Sequence, residues 1–184
     1  MNIVFGGSFD PITRAHQDII EFIIKKYQPE YFIIVIAGVT YYKQYVTSWN
    51  DRLNMIKLAC SRIRGTHLIY SDIEKDQYLG TLNTLNILSK EYPNLTFLLG
   101  ADQFIKLKTW IDYESLIKNY SFIVLDRQHL LTAQIKKDIT KQNEGNFSFL
   151  AYNNKGAASD FRKTRKAKLV DPQVWSYIKE HQLY

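Results

Sequence analysis

The chain has 184 residues, of which 46% are hydrophobic, 14% aromatic and 23% charged, and its formal net charge at pH 7 is +6. This apolar content supports a folded core and excludes a disordered chain, and the length suits one domain over residues 1–184. A single cysteine, Cys60, excludes an internal disulfide framework and fits a reducing compartment. No apolar run approaches the ~20 residues of a spanning helix, and no basic leader is visible. We therefore expect a cytoplasmic protein with no membrane partner.

Short apolar runs alternate with helical patterns along the chain. The predicted strands are Asn2–Phe5, Tyr31–Ile36, Thr66–Tyr70, Leu95–Leu99, Phe122–Leu125 and Phe147–Leu150. The predicted helices are one with an apolar stripe from Ile19 to Tyr27, one capped by Ser48 that buries Trp49, Leu53, Ile56, Cys60 and Ile63, then Thr81–Glu91, Asp102–Leu107, Tyr113–Asn119, Ser159–Lys166, and one from Pro172 to about His181. The polar stretch Leu131–Asn146 reads as a surface excursion with some helix.

This alternation predicts an α/β fold in which a doubly wound, mainly parallel sheet carries helices on both faces. Ligands of such sheets bind at the carboxyl ends of the strands. Three loops fall at such ends: Gly6-Gly7, Leu99–Asp102 and Gly156–Ser159. We expect them to form one cleft.

The first of these loops has the composition of a phosphate site. Gly6 and Gly7 let the backbone turn sharply and approach a ligand, and the following helix offers unpaired N–H groups and a positive dipole end. Thr13 and His16 lie three residues apart and share a helix face, so a hydroxyl and an imidazole are expected to converge on the phosphate. The alternative is a strand–turn–helix in which His16 only caps or packs.

Other nucleotide and nucleic-acid signatures are missing from the sequence. The chain has no G-x-x-x-x-G-K-[ST] and no G-x-G-x-x-G. The basic cluster from Arg162 to Lys168 suits either a nucleic-acid backbone or a polyphosphate. No run of closely spaced aromatic residues stands beside it, so a nucleic-acid partner is not favoured.

The segment Gly7-Ser8-Phe9-Asp10-Pro11-Ile12-Thr13-Arg14-Ala15-His16 resembles the G-x-F-D-P-x-[HT]-x-G-H signature of adenylyl-transferring nucleotidyltransferases, with Ala15 in place of Gly. A longer series of residues, taken in their order along the chain, resembles bacterial nicotinate-nucleotide adenylyltransferase. The series consists of Lys43, Ser48, Arg52 and Met55, then Asp72-Ile73-Glu74, Thr81–Leu85, Leu99–Phe104 with Leu107 and Trp110, Val124 with Arg127, and Leu169 to Tyr184. The resemblance implies a Rossmann-like sheet. It also implies an enzyme of NAD biosynthesis that joins ATP, with Mg²⁺, to nicotinate mononucleotide and releases deamido-NAD and pyrophosphate.

The resemblance also implies residue roles. It places ATP against Gly6, Gly7, Ser8, Phe9, His16, Asp102, Ser159 and Arg162, and the mononucleotide against Thr13, Lys43, Thr81, Trp110 and Arg127. His16 and Thr13 would serve the α-phosphate, while Ser159 and Arg162 would grip the β and γ groups. Blander readings stay open: Arg162 on a solvated helix, Lys43 at the surface, Trp110 in the core, and Asp102 as a helix cap. No protein metal ligand is predicted.

Two departures from the family pattern keep other functions open. Thr13 stands where that family has His, so this segment looks like phosphopantetheine adenylyltransferase. Ala157 and Ala158 replace two hydroxyl residues of a Ser/Thr-rich motif before the arginine. The alternatives are therefore adenylyl transfer to phosphopantetheine, or a catalytically impaired paralogue that binds a nucleotide or RNA. The sequence leaves open whether the chain forms a homo-oligomer.

Overall fold

The computed structural model describes residues 1–38, 44–126, 130–140, 146–153 and 158–184. The strands are β1 (Asn2–Gly7), β2 (Tyr31–Ile36), β3 (His67–Ser71), β4 (Leu95–Gly100), β5 (Ser121–Asp126) and β6 (Phe147–Ala151). The α-helices are α1 (Arg14–Tyr27), α2 (Trp49–Cys60), α3 (Thr81–Leu88), α4 (Ala101–Ile105), α5 (Tyr113–Asn119), α6 (Ala133–Thr140), α7 (Ala158–Thr164) and α8 (Pro172–Glu180). The 3₁₀ turns Leu107–Thr109 and Ala167–Leu169 lie between helices.

The strands form one parallel sheet in the order β3-β2-β1-β4-β5-β6. β1 lies at its centre, with Ile3 paired to Phe32 of β2 and to Thr96 of β4. The chain moves outward from β1 to β3 and then returns to place β4 on the other side of β1. The strand order therefore reverses between β1 and β4, which is where doubly wound sheets open a ligand crevice at their carboxyl edge.

Alternate residues of the strands belong to two separate hydrophobic cores, one on each face of the sheet. Ile3 and Phe32 pack with apolar residues of α1, α2 and α8, whereas Val4 and Ile33 pack with those of α3, α4 and α5. A parallel sheet covered on both faces must be apolar on both, which explains why its strands read as continuous apolar runs. The predicted helices on both faces and the predicted parallel sheet are confirmed.

The predicted elements are all present, with small shifts at their ends. β1 extends through Gly7, and α3 ends at Leu88 rather than at Glu91. The burial pattern of α2 differs more, because the fully buried residue of its first turns is Arg52 while Leu53 is only partly covered. Cys60 is buried, and burial raises the pKa of its thiol to about 12, as suits a core residue. Among the described helices, none is both long and apolar enough to cross a membrane.

Candidate active site

A cavity of about 310 Å³ opens at the carboxyl edge of the sheet, around the reversal point between β1 and β4. Strand ends and the first residues of the helices after them supply most of its wall, because parallel strands deliver their following loops to one edge. The lining includes Gly6, Gly7, Ser8 and Phe9 after β1, His16 on α1, Glu74 and Tyr78 after β3, Thr81 on α3, Gly100 and Asp102 at the start of α4, and Trp110. Of the three loops expected to form one cleft, Gly6-Gly7 and Leu99–Asp102 contribute to its wall.

The β1–α1 loop turns at Phe9 rather than at the two glycines. Gly6 and Gly7 are the last residues of β1, and only Phe9, with φ 46°, has a left-handed backbone there. The prediction that the glycines make the turn is wrong. A Cβ at Gly7 would lie 3.0 Å from the Phe9 ring, so a side chain there would require the ring to shift by a few tenths of an ångström, and both glycines leave the cavity wall open to a ligand.

His16 is held by Thr13 at the N-terminus of α1. The Nδ1 atom of His16 accepts a hydrogen bond from the Thr13 backbone N–H at 3.0 Å, and the Thr13 hydroxyl oxygen lies 2.9 Å from the same nitrogen. Because Nδ1 is the acceptor, the neutral imidazole carries its proton on Nε2. The ring also packs edge-on against Phe9, with centroids 5.3 Å apart. His16 therefore lines the cavity as a fixed N–H donor.

Thr13 itself lies behind His16. Its side chain is 1% exposed and is not among the residues that line the cavity. The expectation that the Thr13 hydroxyl and the His16 imidazole both face one phosphate is therefore not met. The structure brings the two side chains into mutual contact, with only the imidazole at the cavity wall.

Asp102 lies in the first turn of α4 and lines the cavity with an exposed side chain. The alternative in which it caps that helix is wrong, because Gly100 is the N-cap residue and Asp102 stands at the second helical position. Its Oδ2 atom accepts a hydrogen bond from the Gln103 amide at 3.1 Å. An acceptor at this edge suits the hydroxyl groups of a ribose.

Thr81 and Trp110 both line the cavity. Trp110 is half-buried and packs edge-on against Phe97 with ring centroids 6.0 Å apart, so part of the ring stays available at the wall. Sequence reasoning missed Glu74, a lining residue that is only 7% exposed and accepts a hydrogen bond from the Thr84 hydroxyl at 2.5 Å. Burial raises the pKa of Glu74, and the Thr84 hydrogen bond opposes that rise.

Ser159 and Arg162 lie on α7 and are half-buried, and neither lines the cavity. Arg162 nevertheless reaches the β1–α1 loop, because its Nη1 atom donates to the backbone carbonyl of Asp10 at 2.5 Å. Of the third predicted loop, Gly156 and Ala157 lie outside the described residues, as do Lys43 and Arg127. Within the residues that the structure describes, no group of three or more His, Cys, Asp or Glu side chains could hold a metal ion.

A buried arginine, Arg52, holds the segments that follow β1 and β2 at the site, and the sequence did not predict this contact. Arg52 is 0% exposed, and its Nη1 atom donates to the carbonyls of Ser8 and Ala37 at 2.8 and 2.9 Å. The guanidinium lies 3.9 Å from the centroid of the Tyr45 ring, and burial lowers its pKa against the opposing effect of Tyr45 and Asp10. Its Nε and Nη2 groups have no hydrogen-bond partner among the described residues. A basic residue on an otherwise apolar helix face was the available signal.

Comparisons with known proteins agree with this geometry. Residues 4–157 match the cytidylyltransferase-like family. A "Probable nicotinate-nucleotide adenylyltransferase" of Acholeplasma laidlawii is 32% identical, with 100% of this chain and 97% of the relative covered. A protein of Neisseria meningitidis with the same name is 27% identical, over 98% of this chain and 96% of that relative.

A solved structure shares the fold over nearly its whole length. The nicotinic acid mononucleotide adenylyltransferase of Plasmodium falciparum, complexed with NaAD, superimposes with a TM-score of 0.82 at 21% identity, covering 98% of this chain and 95% of that chain. The six-stranded parallel sheet of this protein is thus the Rossmann-like sheet that the sequence resemblance implied. The full-length likeness in sequence and the match over residues 4–157 give one conclusion: this chain belongs to the cytidylyltransferase-like nucleotidyltransferases, in the nicotinate-nucleotide adenylyltransferase family.

Proposed function

We propose that this protein transfers the adenylyl group of ATP to nicotinate mononucleotide in the cavity at the β1–β4 reversal, giving deamido-NAD and pyrophosphate. The single observation that carries this proposal is the fixed imidazole of His16 at the wall of that cavity, in a chain of this family. NAD biosynthesis in the cytoplasm is the corresponding cellular role.

The reaction needs no general base. The nucleophile is a phosphate oxygen of the mononucleotide, which is ionised at pH 7. It attacks the α-phosphorus of ATP, a new P–O bond forms, and the bond to the bridging oxygen breaks with its electron pair leaving on pyrophosphate. Catalysis then depends on holding two anions in line and on stabilising the charge that develops between them.

The chain's own groups supply that stabilisation. The Nε2–H of His16 donates to an α-phosphate oxygen, and Thr13 fixes the ring that does so. Ser8 and Phe9 provide the wall beside the phosphates, and Arg162 and Ser159 hold the β and γ groups from α7. ATP would enter as its Mg²⁺ complex, in which the cation would neutralise phosphate charge. Lys43 and Arg127 are proposed as further phosphate ligands.

The acceptor end of the cavity is proposed to lie at Trp110 and Thr81. The pyridinium ring would stack on Trp110, which adds a cation–π attraction of roughly 0.5–2 kcal/mol to apolar burial. The carboxylate would meet backbone N–H groups near Thr81. These donors favour an anionic acceptor over an amide, which brings two donors of its own.

Pyrophosphate release from ATP tests this proposal. The purified protein is assayed with nicotinate mononucleotide, nicotinamide mononucleotide and phosphopantetheine as separate acceptors. We expect the highest kcat/KM with nicotinate mononucleotide. Preference for phosphopantetheine would replace the proposed substrate, and binding of ATP without turnover of any acceptor would indicate an impaired paralogue.

A further inference from the structure

Tyr184 makes a direct contact with the β1–α1 loop. The proposed mechanism does not use this contact. Its hydroxyl donates to Oδ1 of Asp10 at 2.8 Å, although the two residues are 174 positions apart in sequence. Asp10 is 2% exposed and follows the turn residue Phe9 in the β1–α1 loop. This contact therefore joins the end of the described chain to the loop that faces the substrate phosphates.

Asp10 is the centre of a small buried network. The same Oδ1 atom accepts from the Thr47 hydroxyl at 2.9 Å, and Oδ2 accepts from the Val46 backbone N–H at 2.8 Å. A buried carboxylate is stable only when such donors satisfy it, so each donor contributes to holding Asp10 in one position. Burial raises the pKa of Tyr184, and its hydroxyl therefore stays protonated as a donor.

The backbone of Asp10 is also the anchor of Arg162. The Nη1 atom of Arg162 donates to the Asp10 carbonyl, while the Tyr184 ring packs edge-on against Phe161, the neighbour of Arg162 on α7, with centroids 5.6 Å apart. The Arg165 guanidinium also lies over the Tyr184 ring, 5.2 Å from its centroid. Tyr184 therefore contacts α7 through its ring and Asp10 through its hydroxyl.

We propose that Tyr184 is a positioning residue for ATP, which sets the place of Arg162 by fixing Asp10 and α7 relative to each other. This inference rests on the proposed role of Arg162 at the β and γ phosphates. It predicts that the Tyr184 hydroxyl acts on ATP through Arg162 and has no separate effect on the mononucleotide.

Tyr184→Phe tests the role of the hydroxyl while keeping the ring contacts. We expect the KM for ATP to rise about five-fold, in line with the loss of one net hydrogen bond, while the KM for nicotinate mononucleotide stays within about two-fold. Calorimetric binding of a non-hydrolysable ATP analogue should weaken by a similar factor. That second measurement needs no acceptor, so it separates a failure of this inference from a failure of the proposed reaction.

Tyr177→Phe is the matched control. The Tyr177 hydroxyl, on α8, also makes two hydrogen bonds to α2, with Asn54 and Asp51, each at 3.0 Å, but it does not contact Asp10. We expect this variant to lose about as much thermal stability as Tyr184→Phe does, and to keep the wild-type KM for ATP. An equal rise of that KM in both variants would show a general effect of α8 docking and would overturn the proposal.

A double-mutant cycle with Arg162→Ala identifies the route of the effect. If Tyr184 acts through Arg162, adding Tyr184→Phe to Arg162→Ala should change ATP affinity by less than about 1.5-fold, because coupled residues are not additive. Full additivity would show that Tyr184 acts independently of Arg162. An unchanged affinity for the ATP analogue in Tyr184→Phe alone would also overturn the inference.

Discussion

At the scale of single residues, the pairing of His16 with Thr13 explains how a lone imidazole presents a directed N–H group at the cavity wall. One hydrogen bond to the Thr13 backbone fixes both the ring orientation and the protonated nitrogen. The blander reading of His16 as a cap is also partly right, since this contact belongs to the capping of α1. The same residue can cap a helix and present its other ring nitrogen to a ligand.

His16→Ala should lower kcat by at least ten-fold, which corresponds to about 1.4 kcal/mol of transition-state stabilisation. The residue is half-buried and contributes little to the core, so the thermal unfolding temperature should change by only a few degrees. Steady-state kinetics and thermal unfolding measure the two effects. A variant that keeps more than a tenth of the wild-type kcat would contradict a role for His16 at the α-phosphate.

Trp110→Ala should raise the KM for nicotinate and nicotinamide mononucleotides by similar factors, about 2-fold to 30-fold if the cation–π contribution is lost. Both rings carry the same positive charge, so the variant should keep the preference for the acid. Initial rates with each acceptor at saturating ATP provide the measurement. An unaltered KM for either mononucleotide would place the pyridine ring elsewhere.

At the scale of elements, Arg52 ties α2 to the carboxyl ends of β1 and β2. Arg52→Ala would remove the donor to the carbonyls of Ser8 and Ala37, and the loss of each of these partly buried hydrogen bonds costs about 1–3 kcal/mol. We therefore expect urea unfolding to show a loss of at least about 2 kcal/mol. Lys57→Ala, which removes an exposed basic residue from the same helix, should stay within about 0.5 kcal/mol of wild type. Equal effects of the two substitutions would be inconsistent with this role.

Gly38 shows how closely two elements approach beside the site. A Cβ at this position would lie 1.5 Å from the carbonyl oxygen of Glu74 and 2.8 Å from that of Lys75. The segment after β2 and the segment after β3 are thus in backbone contact, and this contact carries Glu74 to the cavity wall. Sequence alone did not reveal the need for glycine here, because the clash is with a segment more than thirty residues away.

At the scale of the whole molecule, the buried carboxyl of Glu74 makes the free energy of unfolding depend on pH. Burial raises its pKa in the folded protein above the usual value of 4.5, so the folded state holds this proton to a higher pH than the unfolded state does. The resulting stability is complete below the unfolded pKa and is lost as pH rises through the folded pKa.

Glu74→Gln keeps an acceptor for Thr84 but does not titrate. Its free energy of unfolding should therefore increase relative to wild type between about pH 4 and about pH 7.5. Urea unfolding of both proteins at the two pH values measures this difference. A difference that is the same at both values would show that the pKa of Glu74 is equal in the folded and unfolded states.

The sequence by itself determined the sheet, its helices and the position of the first loop. Buried parallel strands need unbroken apolar runs, and each run was long enough to be read locally. His16 and Asp102 could be placed at the cavity from the topology, since a doubly wound sheet brings the loops after its strands to one edge, whereas Trp110 and Thr81 could be placed there only through the family resemblance. The full-length family resemblance supplied the reaction.

Only the tertiary structure decided which groups meet at that edge. Glu74 at the cavity wall, Arg52 beneath the β1–α1 loop and Tyr184 on Asp10 all depend on contacts between distant segments. Their partners include backbone carbonyls, which every residue carries and which leave no mark in the sequence. The change of Thr13 from a phosphate donor to the support of His16 has a similar origin, because helical spacing fixes which residues share a face but not how deeply that face is buried.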